Sequence, residues 1–369
     1  MTRAAAPLSP AFSLYLDACR FLAAVFVVLS HFFHYGAVAV PSSPWWLDMG
    51  RESVVVFFVL SGFVIAYTTE RKDANLRDYC VARCTRIYSV ALPVVLLGFV
   101  AAAILVLSGQ ATLHQLHKPW IYLPLHLLFM GELWTLSEPP PLIEPYWSLG
   151  YEVWYYVLFG LLFYLRGPRR LAAAGALLLF VGPKLWLLLP VWASGVAAYH
   201  WQKTHALARP LALCGWCATL ALLLAYKLSG LDVTLRMLAL AHWPFPALPL
   251  KSADRFLADY LVCLLVVANF LCAKSAGFTG LLRVGKPVRA LASYTFTLYL
   301  AHGLVLRVWL TVYPHQRSDA GDVALLAGLV VAATWVIGQL TERRKDWFEG
   351  LFVRLAARMP LAPAASRAP

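Results

Sequence analysis

An arginine near one end and a histidine well inside mark the first long apolar run of the sequence, CRFLAAVFVVLSHFFHYG at positions 19–36. Arg20 and His31 are eleven residues apart, about three turns of an α-helix, so both side chains would lie on one helix face about 16 Å apart. Asp17 is one turn before Arg20 on the same face, where it can pair with the arginine. A neutral imidazole at membrane depth can accept a proton, so His31 is a candidate for catalysis. The structural alternative is a histidine that only hydrogen-bonds neighbouring helices.

A second group of polar residues lies in EPYWSLGYEVWYY at positions 144–156. Ser148 and Glu152 are one turn apart on a predicted helix that begins near Trp147. A buried carboxylate needs a partner, and a side chain of the first helix is the partner that we expect. Glu152 is therefore predicted to orient His31 or to bind an acceptor, with a purely structural ion pair as the alternative.

Three further stretches place polar residues near or within apolar runs. SYTFTLYLAHGLVLR at 293–307 contains a stripe that includes Tyr299 and His302. VVVFFVLSGFVIAY at 54–67 contains Ser61 next to a glycine, and small residues allow another helix or a substrate to approach closely. ARCTRIY at 82–88 contains Arg83 and Arg86, which could grip phosphates or could only mark the cytoplasmic side. Together these groups suggest a polar cavity inside a membrane protein.

The composition indicates which elements must position these groups. Of the 369 residues, 61% are hydrophobic and 13% are charged, whereas soluble chains are about half apolar and a quarter charged. Apolar runs long enough to cross the hydrocarbon core recur along the whole chain. The sequence therefore predicts an all-α integral membrane protein with about ten transmembrane helices. These are expected at 14–35, 52–69, 87–108, 147–165, 171–182, 185–201, 210–228, 255–273, 290–312 and 321–340.

An eleventh apolar segment, 120–136, is expected to be re-entrant or interfacial because it contains Pro124 and Glu132. If this segment does not cross, every basic cluster lies on one side and both termini are cytoplasmic. The apolar, proline-rich stretch 229–253 is expected to be a lid or a second re-entrant piece. The net charge of +13 then reflects topology rather than a nucleic-acid partner.

The chain is expected to contain one membrane domain, residues 1–341, followed by a basic cytoplasmic tail, residues 342–369. The first apolar run is too long for the hydrophobic part of a signal peptide and carries charges, so we expect it to be retained. The seven cysteines and the scattered histidines match no metal-ligand spacing, so no metal is expected.

Taken in order, the motifs resemble those of the membrane-bound acyltransferase-3 family, whose members O-acylate sugars on bacterial polysaccharides and related molecules. The resemblance runs from about Leu14 to Leu340 and rests on LDACR followed by ten residues and a histidine, FFVLSGF, RCTRIY, YWSLGYE and SYTFTLYLAH. Two positions depart from the usual pattern: Val56 stands where an aspartate is common, and Gly150 stands where a serine is common.

The resemblance implies about ten helices, a cytosolic acyl-CoA donor and a helix-1 histidine that is essential for transfer. On this sequence the histidine is His31, its partner is Arg20, and the arginine pair that holds the donor is Arg83 and Arg86. Acetyl-CoA is the expected donor. The expected acceptor is a hydroxyl of a cell-surface or lipid-linked glycan. The expected location is the bacterial cytoplasmic membrane, in contact with its lipids.

In this hypothesis Arg20 marks the entrance of the donor, and His31 either acts as general base or accepts the acyl group itself. Glu152 and Arg20 are assigned to catalysis beside His31. The other polar residues are assigned to substrate binding or to the cavity: Asp17, Ser61, Trp147, Ser148, Tyr299 and His302. A transporter or flippase for a glycan would need a similar cavity, and a scaffold would need only the helix contacts. Consumption of acyl-CoA by the purified protein separates these alternatives.

Overall fold

The structure, a computed structural model, describes residues 7–40, 44–73 and 75–358. Every regular element in those residues is a helix, which confirms the predicted all-α class. Short 3₁₀ helices occupy some of the connections between the α-helices. The α-helices are α1 (Pro10–His34), α2 (Gly50–Arg71), α3 (Leu76–Leu107), α4 (Pro119–Leu127), α5 (Trp147–Tyr164), α6 (Gly167–Val181), α7 (Pro183–Thr204), α8 (Arg209–Leu228), α9 (Leu231–Ala241), α10 (Phe256–Ala276), α11 (Gly285–Ala292), α12 (Thr295–Val312), α13 (Ala320–Leu340) and α14 (Lys345–Ala357).

Local signals in the sequence set several helix ends. Ser9 precedes Pro10, and its hydroxyl accepts a hydrogen bond from the Phe12 backbone N–H at 3.3 Å, so α1 begins with a side-chain cap. Asn75 caps α3 in the same way through the Asp78 backbone N–H at 3.0 Å. Helix α3 therefore begins at Leu76, earlier than the predicted 87–108 segment. Both arginines of the RCTRIY motif lie within α3 as a result.

The break between α6 and α7 lies at Gly182, as the predicted segments 171–182 and 185–201 indicate. Gly182 has a φ of +84°, which favours glycine, and Pro183 then begins α7. A Cβ at position 182 would also lie 2.9 Å from Trp134, whose backbone N–H donates to the Val181 carbonyl at 3.1 Å. The turn between the two helices is thus tied to the loop that follows α4.

Helix α2 lies at the centre of the bundle, in contact with α1, α5, α7 and α10. Its sequence is apolar on nearly all sides, and a helix of that kind is stable where it is buried all round. A Cβ on Gly62 would lie 2.0 Å from the Trp192 carbonyl oxygen, and one on Gly195 would lie 2.0 Å from the Val59 carbonyl oxygen. The two glycines therefore let the backbones of α2 and α7 touch.

The prediction of a single helix over 290–312 is wrong, because α11 ends at Ala292 and α12 begins at Thr295. Glu342, from the chain beyond α13, accepts hydrogen bonds from Thr297 Oγ1 at 2.7 Å and from the Thr297 backbone N–H at 3.4 Å. This carboxylate satisfies a free backbone donor at the start of α12, so a new helix can begin there.

Seven helical stretches of the described residues are long and apolar enough to cross a membrane. They are α1, α2, α3, α8, α10, α12 and the stretch from α13 into α14. Helices α5, α6 and α7 make up the rest of the predicted ten, but α6 has only 15 residues and the other two are rich in Trp, Tyr and polar residues. The chain is a multi-pass membrane protein, and the count of ten with cytoplasmic termini stays a prediction.

Two predicted peripheral pieces are short helices. Helix α4 has 9 residues, so it extends about 13 Å and is too short to cross about 30 Å of hydrocarbon. Helix α9 has 11 residues within the predicted 229–253 stretch. The described part of the predicted tail also has structure, because α14 packs against α3, with the Phe352 ring 5.7 Å from the Tyr88 ring.

Candidate active site

A cavity of about 680 Å³ lies at the C-terminal end of α1, and we call it the His31 cavity. Residues from α1, α2, α5, α12 and the loops after α4 and α9 contribute to its wall. The side chains that matter for chemistry are His31, Arg51, Glu132, Glu144, Trp147 and Arg307. Its size is in the range of small-molecule sites, which are usually 300–1,000 Å³.

A second, smaller cavity of about 60 Å³ lies further toward the N-terminal end of α1, and we call it the Arg20 pocket. Arg20 and Arg86 line it together with the carboxylate-bearing Glu152, and the rings of Phe57 and Phe58 form part of the wall. Arg20 and His31 were predicted to lie on one face of α1. In the structure they line two separate compartments.

Tyr299 lines both the His31 cavity and the Arg20 pocket. Its hydroxyl hydrogen-bonds the Ser148 hydroxyl at 2.6 Å, and its ring meets the Phe57 ring edge-on at 5.3 Å. Ser148 and Phe57 line the Arg20 pocket. Tyr299 and its hydrogen bond to Ser148 thus form a wall between the two compartments.

The two deep histidines of the sequence meet in the structure. His302 Nε2 lies 3.0 Å from His31 Nδ1, across 271 positions of sequence. His31 Nδ1 is also 3.0 Å from the Val27 carbonyl oxygen, and His302 Nδ1 is 2.8 Å from the Leu298 carbonyl oxygen. His31 lines the cavity, whereas His302 is fully buried behind it and lines neither compartment. His302 was predicted to bind substrate or to line the cavity. In the structure it instead contacts His31.

Glu152 lies in the Arg20 pocket and is not hydrogen-bonded to His31. Its Oε1 accepts a hydrogen bond from Ser61 Oγ at 2.6 Å and another from the Tyr156 hydroxyl. Trp192 Nε1 donates to the same serine at 3.1 Å. The group that touches the His31 ring is His302, so the structure does not place Glu152 where it could orient that ring directly. Glu152 is instead part of a polar network that faces Arg20.

The two arginines of RCTRIY have different surroundings. Arg83 is largely buried, pairs with Asp73 at 3.6 Å and packs its guanidinium over the rings of Tyr79 and Tyr156. Burial raises the pKa of Asp73, and Arg83 opposes that rise. Arg86 is exposed, lines the Arg20 pocket and has no ion-pair partner in the described part of the chain. Arg20 pairs with Asp17 at 3.6 Å, as their spacing predicts. Arg20 and Arg86 therefore converge, and Arg83 does not join them.

An ion pair at the His31 cavity joins two helical regions. Arg307 Nη2 donates to Glu144 Oε2 at 2.9 Å, and its guanidinium lies 4.1 Å from the centre of the Tyr35 ring. Burial would raise the pKa of Glu144, but neighbouring donors, Arg307 among them, outweigh burial and hold it below its usual range. The carboxylate therefore stays ionised beside the cavity. Glu144 lies just before the YWSLGYE motif and was not among the predicted site residues.

Two further ion pairs each contribute one side chain, Glu132 or Arg51, to the wall of the His31 cavity. Lys184 Nζ lies 2.9 Å from Glu132 Oε2, and both side chains are at most 4% exposed. Arg51 pairs with Asp259, and its guanidinium lies 5.0 Å from the centre of the Trp147 ring. Lys184 and Arg51 each lie at the start of a helix. Cations are common at the ends of transmembrane helices, so nothing in the local sequence indicated that these two form ion pairs.

No site for a metal ion is visible in residues 7–40, 44–73 and 75–358, where His, Cys, Asp and Glu side chains do not gather in groups of three or more. The His31 imidazole and the arginines of the Arg20 pocket offer two kinds of chemistry. An imidazole can take up a proton, and guanidinium groups can hold phosphates.

Comparison with known proteins identifies the family of the chain. A family profile described as "Acyltransferase domain" matches residues 13–339, nearly the whole chain. The exopolysaccharide production protein ExoZ of Rhizobium meliloti (strain 1021) is 30% identical over 139 residues, which are 36% of this chain and 41% of that relative. The chain thus matches less than half the length of this relative, and no solved structure matches it. Because the family profile matches nearly the whole chain, including the helices that build both compartments, the chain belongs to the acyltransferase-3 family.

Proposed function

We propose that the protein moves an acetyl group from cytosolic acetyl-CoA to a hydroxyl of a sugar on a cell-surface or lipid-linked glycan. The observation that carries the proposal is the division of α1 between two compartments, one with Arg20 and Arg86 and the other with His31. Such a division suits a reaction whose two substrates approach from opposite sides of a membrane. The proposed location is the bacterial cytoplasmic membrane, with the Arg20 pocket on the cytosolic side.

The Arg20 pocket supports binding of the donor. Arg86 is exposed and has no ion-pair partner among the described residues, so its guanidinium is free to bind a phosphate. The pantetheine arm would follow α1 from Arg20 toward His31, a rise of about 16 Å for eleven residues, and on that path it has to pass the Tyr299 wall. The thioester at its end would then lie beside His31, outside the Arg20 pocket.

The His31 cavity supports binding of a sugar. Trp147 offers an apolar face for a sugar ring, and Glu144 offers carboxylate oxygens that accept hydrogen bonds from hydroxyl groups. The volume of about 680 Å³ is larger than a single acetyl group needs. A glycan acceptor also fits the name of the similar ExoZ protein, which refers to exopolysaccharide production.

In the proposed reaction the acceptor hydroxyl oxygen attacks the thioester carbonyl carbon. A C–O ester bond forms, the C–S bond breaks, and His31 takes the hydroxyl proton and returns it to the thiolate of CoA, so the new ester group and the CoA thiol are both uncharged. General-base catalysis of this kind is typically worth 10²–10⁴ in rate. An acyl-imidazole intermediate on His31 would give the same products in two steps. Tyr299 and Arg307 line the cavity and are the candidate donors to the developing oxyanion.

The test measures CoA release and acetyl transfer by purified protein in nanodiscs, with acetyl-CoA and a panel of sugars and polysaccharides. Wild-type protein is expected to release CoA, and His31→Ala is expected to lower transfer about 10²–10⁴-fold without loss of fold. His242→Ala is the matched control, because His242 is exposed and its ring hydrogen-bonds only the Leu238 carbonyl of its own helix.

Three outcomes would contradict the proposal. Full activity of His31→Ala would remove the histidine from the reaction. Unfolding of His31→Ala together with inactive wild type would indicate a structural role. Folded wild-type protein that releases no CoA from any acyl-CoA would favour a transporter, for which the two compartments would form a permeation path.

A further inference from the structure

The second histidine, His302, has no contact with either compartment, yet it touches the candidate catalytic group. It is 0% exposed, and its Nε2 lies 3.0 Å from His31 Nδ1. Its ring also packs beside Tyr299, with 6.3 Å between the ring centres. A fully buried side chain cannot bind the donor or the acceptor, so an effect on the reaction has to act through a neighbour, and the side chain that His302 hydrogen-bonds is His31.

Backbone carbonyls fix the proton positions on both rings. The Leu298 carbonyl can only accept, so His302 Nδ1 at 2.8 Å must carry a proton, and in the neutral ring Nε2 is then an acceptor. The Val27 carbonyl is 3.0 Å from His31 Nδ1 and can also only accept, so that nitrogen carries a proton as well. The His31 Nδ1–H therefore points at two acceptors, the Val27 carbonyl oxygen and His302 Nε2.

The same tautomer leaves the other nitrogen of His31 unprotonated. Within the described residues, His31 Nε2 makes no hydrogen bond to the protein, and the residue lines the His31 cavity. A lone pair on Nε2 is thus available to a substrate hydroxyl in the cavity. In the opposite tautomer His31 Nε2 would carry the proton. The lone pairs of His31 Nδ1 and His302 Nε2 would then face each other at 3.0 Å, which is unfavourable.

We propose that His302 is a positioning residue that holds His31 in the Nδ1–H tautomer, so that Nε2 is the basic atom of acyl transfer. This inference rests on the proposed function. When Nε2 takes the hydroxyl proton, His31 becomes an imidazolium whose Nδ1–H still donates to His302. That bond becomes charge-assisted and strengthens, which favours the transition state over the ground state. Nε2 then gives its proton to the CoA thiolate, and both rings return to their starting state.

Two substitutions separate a hydrogen-bond acceptor from simple packing. His302→Leu fills much of the space but has no acceptor, whereas His302→Gln can place its side-chain oxygen near the former Nε2. His302→Leu is expected to lower kcat about 10- to 100-fold, the value of one charge-assisted hydrogen bond, while the KM of donor and acceptor change less than about twofold. His302→Gln is expected to recover most of that loss. Equal losses in both variants, or wild-type kcat in His302→Leu, would overturn the proposal.

A measurement on wild-type protein covers the case in which His302→Leu fails to fold. In nanodiscs, ¹⁵N-histidine labelling distinguishes protonated from unprotonated ring nitrogens, and a His31→Gln sample identifies the His31 signals by their loss. A protonated Nδ1 and an unprotonated Nε2 are expected for His31, and the reverse pattern would overturn the proposal. The proposed function fails separately, through wild-type protein that releases no CoA, whatever the tautomer is.

Discussion

The different surroundings of Arg83 and Arg86 allow a sharp prediction about which arginine holds the donor. Arg83 is 12% exposed and its partner Asp73 is 6% exposed, so Arg83→Ala would leave a buried carboxylate without its cation. Removal of one partner of a buried ion pair typically costs about 3–5 kcal/mol of stability. Arg86 is exposed and makes no ion pair in the described residues, so Arg86→Ala is expected to cost less stability than Arg83→Ala.

The two substitutions should have the reverse order of effect on donor binding. A hydrogen bond to a charged group is worth about 1.5–3 kcal/mol, so loss of the Arg86 guanidinium should weaken CoA binding about 10- to 100-fold. Arg83→Ala should weaken binding much less in the fraction of protein that remains folded. Its guanidinium packs over the rings of Tyr79 and Tyr156 and is not free to reach a ligand in the Arg20 pocket.

Two assays on the same nanodisc samples test this pair of variants. Thermal unfolding, followed by circular dichroism, reports stability, and titration calorimetry with CoA reports affinity. Lys72→Ala is the control, because Lys72 is an exposed cation close to the same end of α3. The assignment of the donor to Arg86 is refuted if Arg83→Ala weakens CoA binding as much as Arg86→Ala does and the unfolding midpoint of Arg83→Ala is unchanged. Unchanged CoA affinity in Arg86→Ala would also refute it.

Two further predictions concern the wall between the compartments and the central helix contact. Tyr299→Ala is expected to raise the ratio of acetyl-CoA hydrolysis to sugar transfer, because removal of the ring and of its hydrogen bond to Ser148 opens the wall to water. Tyr299→Phe keeps the ring and is the comparison. If both variants and wild type have the same ratio of hydrolysis to transfer, Tyr299 does not separate the two compartments. Gly62→Ala is expected to destabilise the protein by at least about 1–3 kcal/mol, because its Cβ would lie 2.0 Å from the Trp192 carbonyl oxygen. Gly175→Ala, where nothing lies within 4 Å of the new Cβ, should have an unchanged or higher unfolding midpoint, and equal midpoints for the two variants would argue against close α2–α7 contact.

Features that depend on neighbouring residues were predictable from sequence. Apolar runs predicted the helices, and the Gly182–Pro183 pair explains why α6 and α7 are separate. The eleven-residue spacing of Arg20 and His31 predicted one helix face, because helical periodicity requires only the local chain. The prediction for 290–312 failed for the opposite reason: the cap on α12 comes from Glu342, which no local pattern near α12 reveals.

Hydrophobicity and helix period are local properties, so the sequence was sufficient to predict a polytopic helical protein with an arginine and a histidine along its first helix. Which side chains meet at the site depends instead on how distant helices pack. That packing brings His302 to His31 and turns Glu152 toward Arg20, and it leaves Arg86 free while Asp73 holds Arg83. Residues far apart in sequence meet in the His31–His302 contact and in the Arg20 pocket, and the rotation of each helix about its axis selects which side chain reaches its partner.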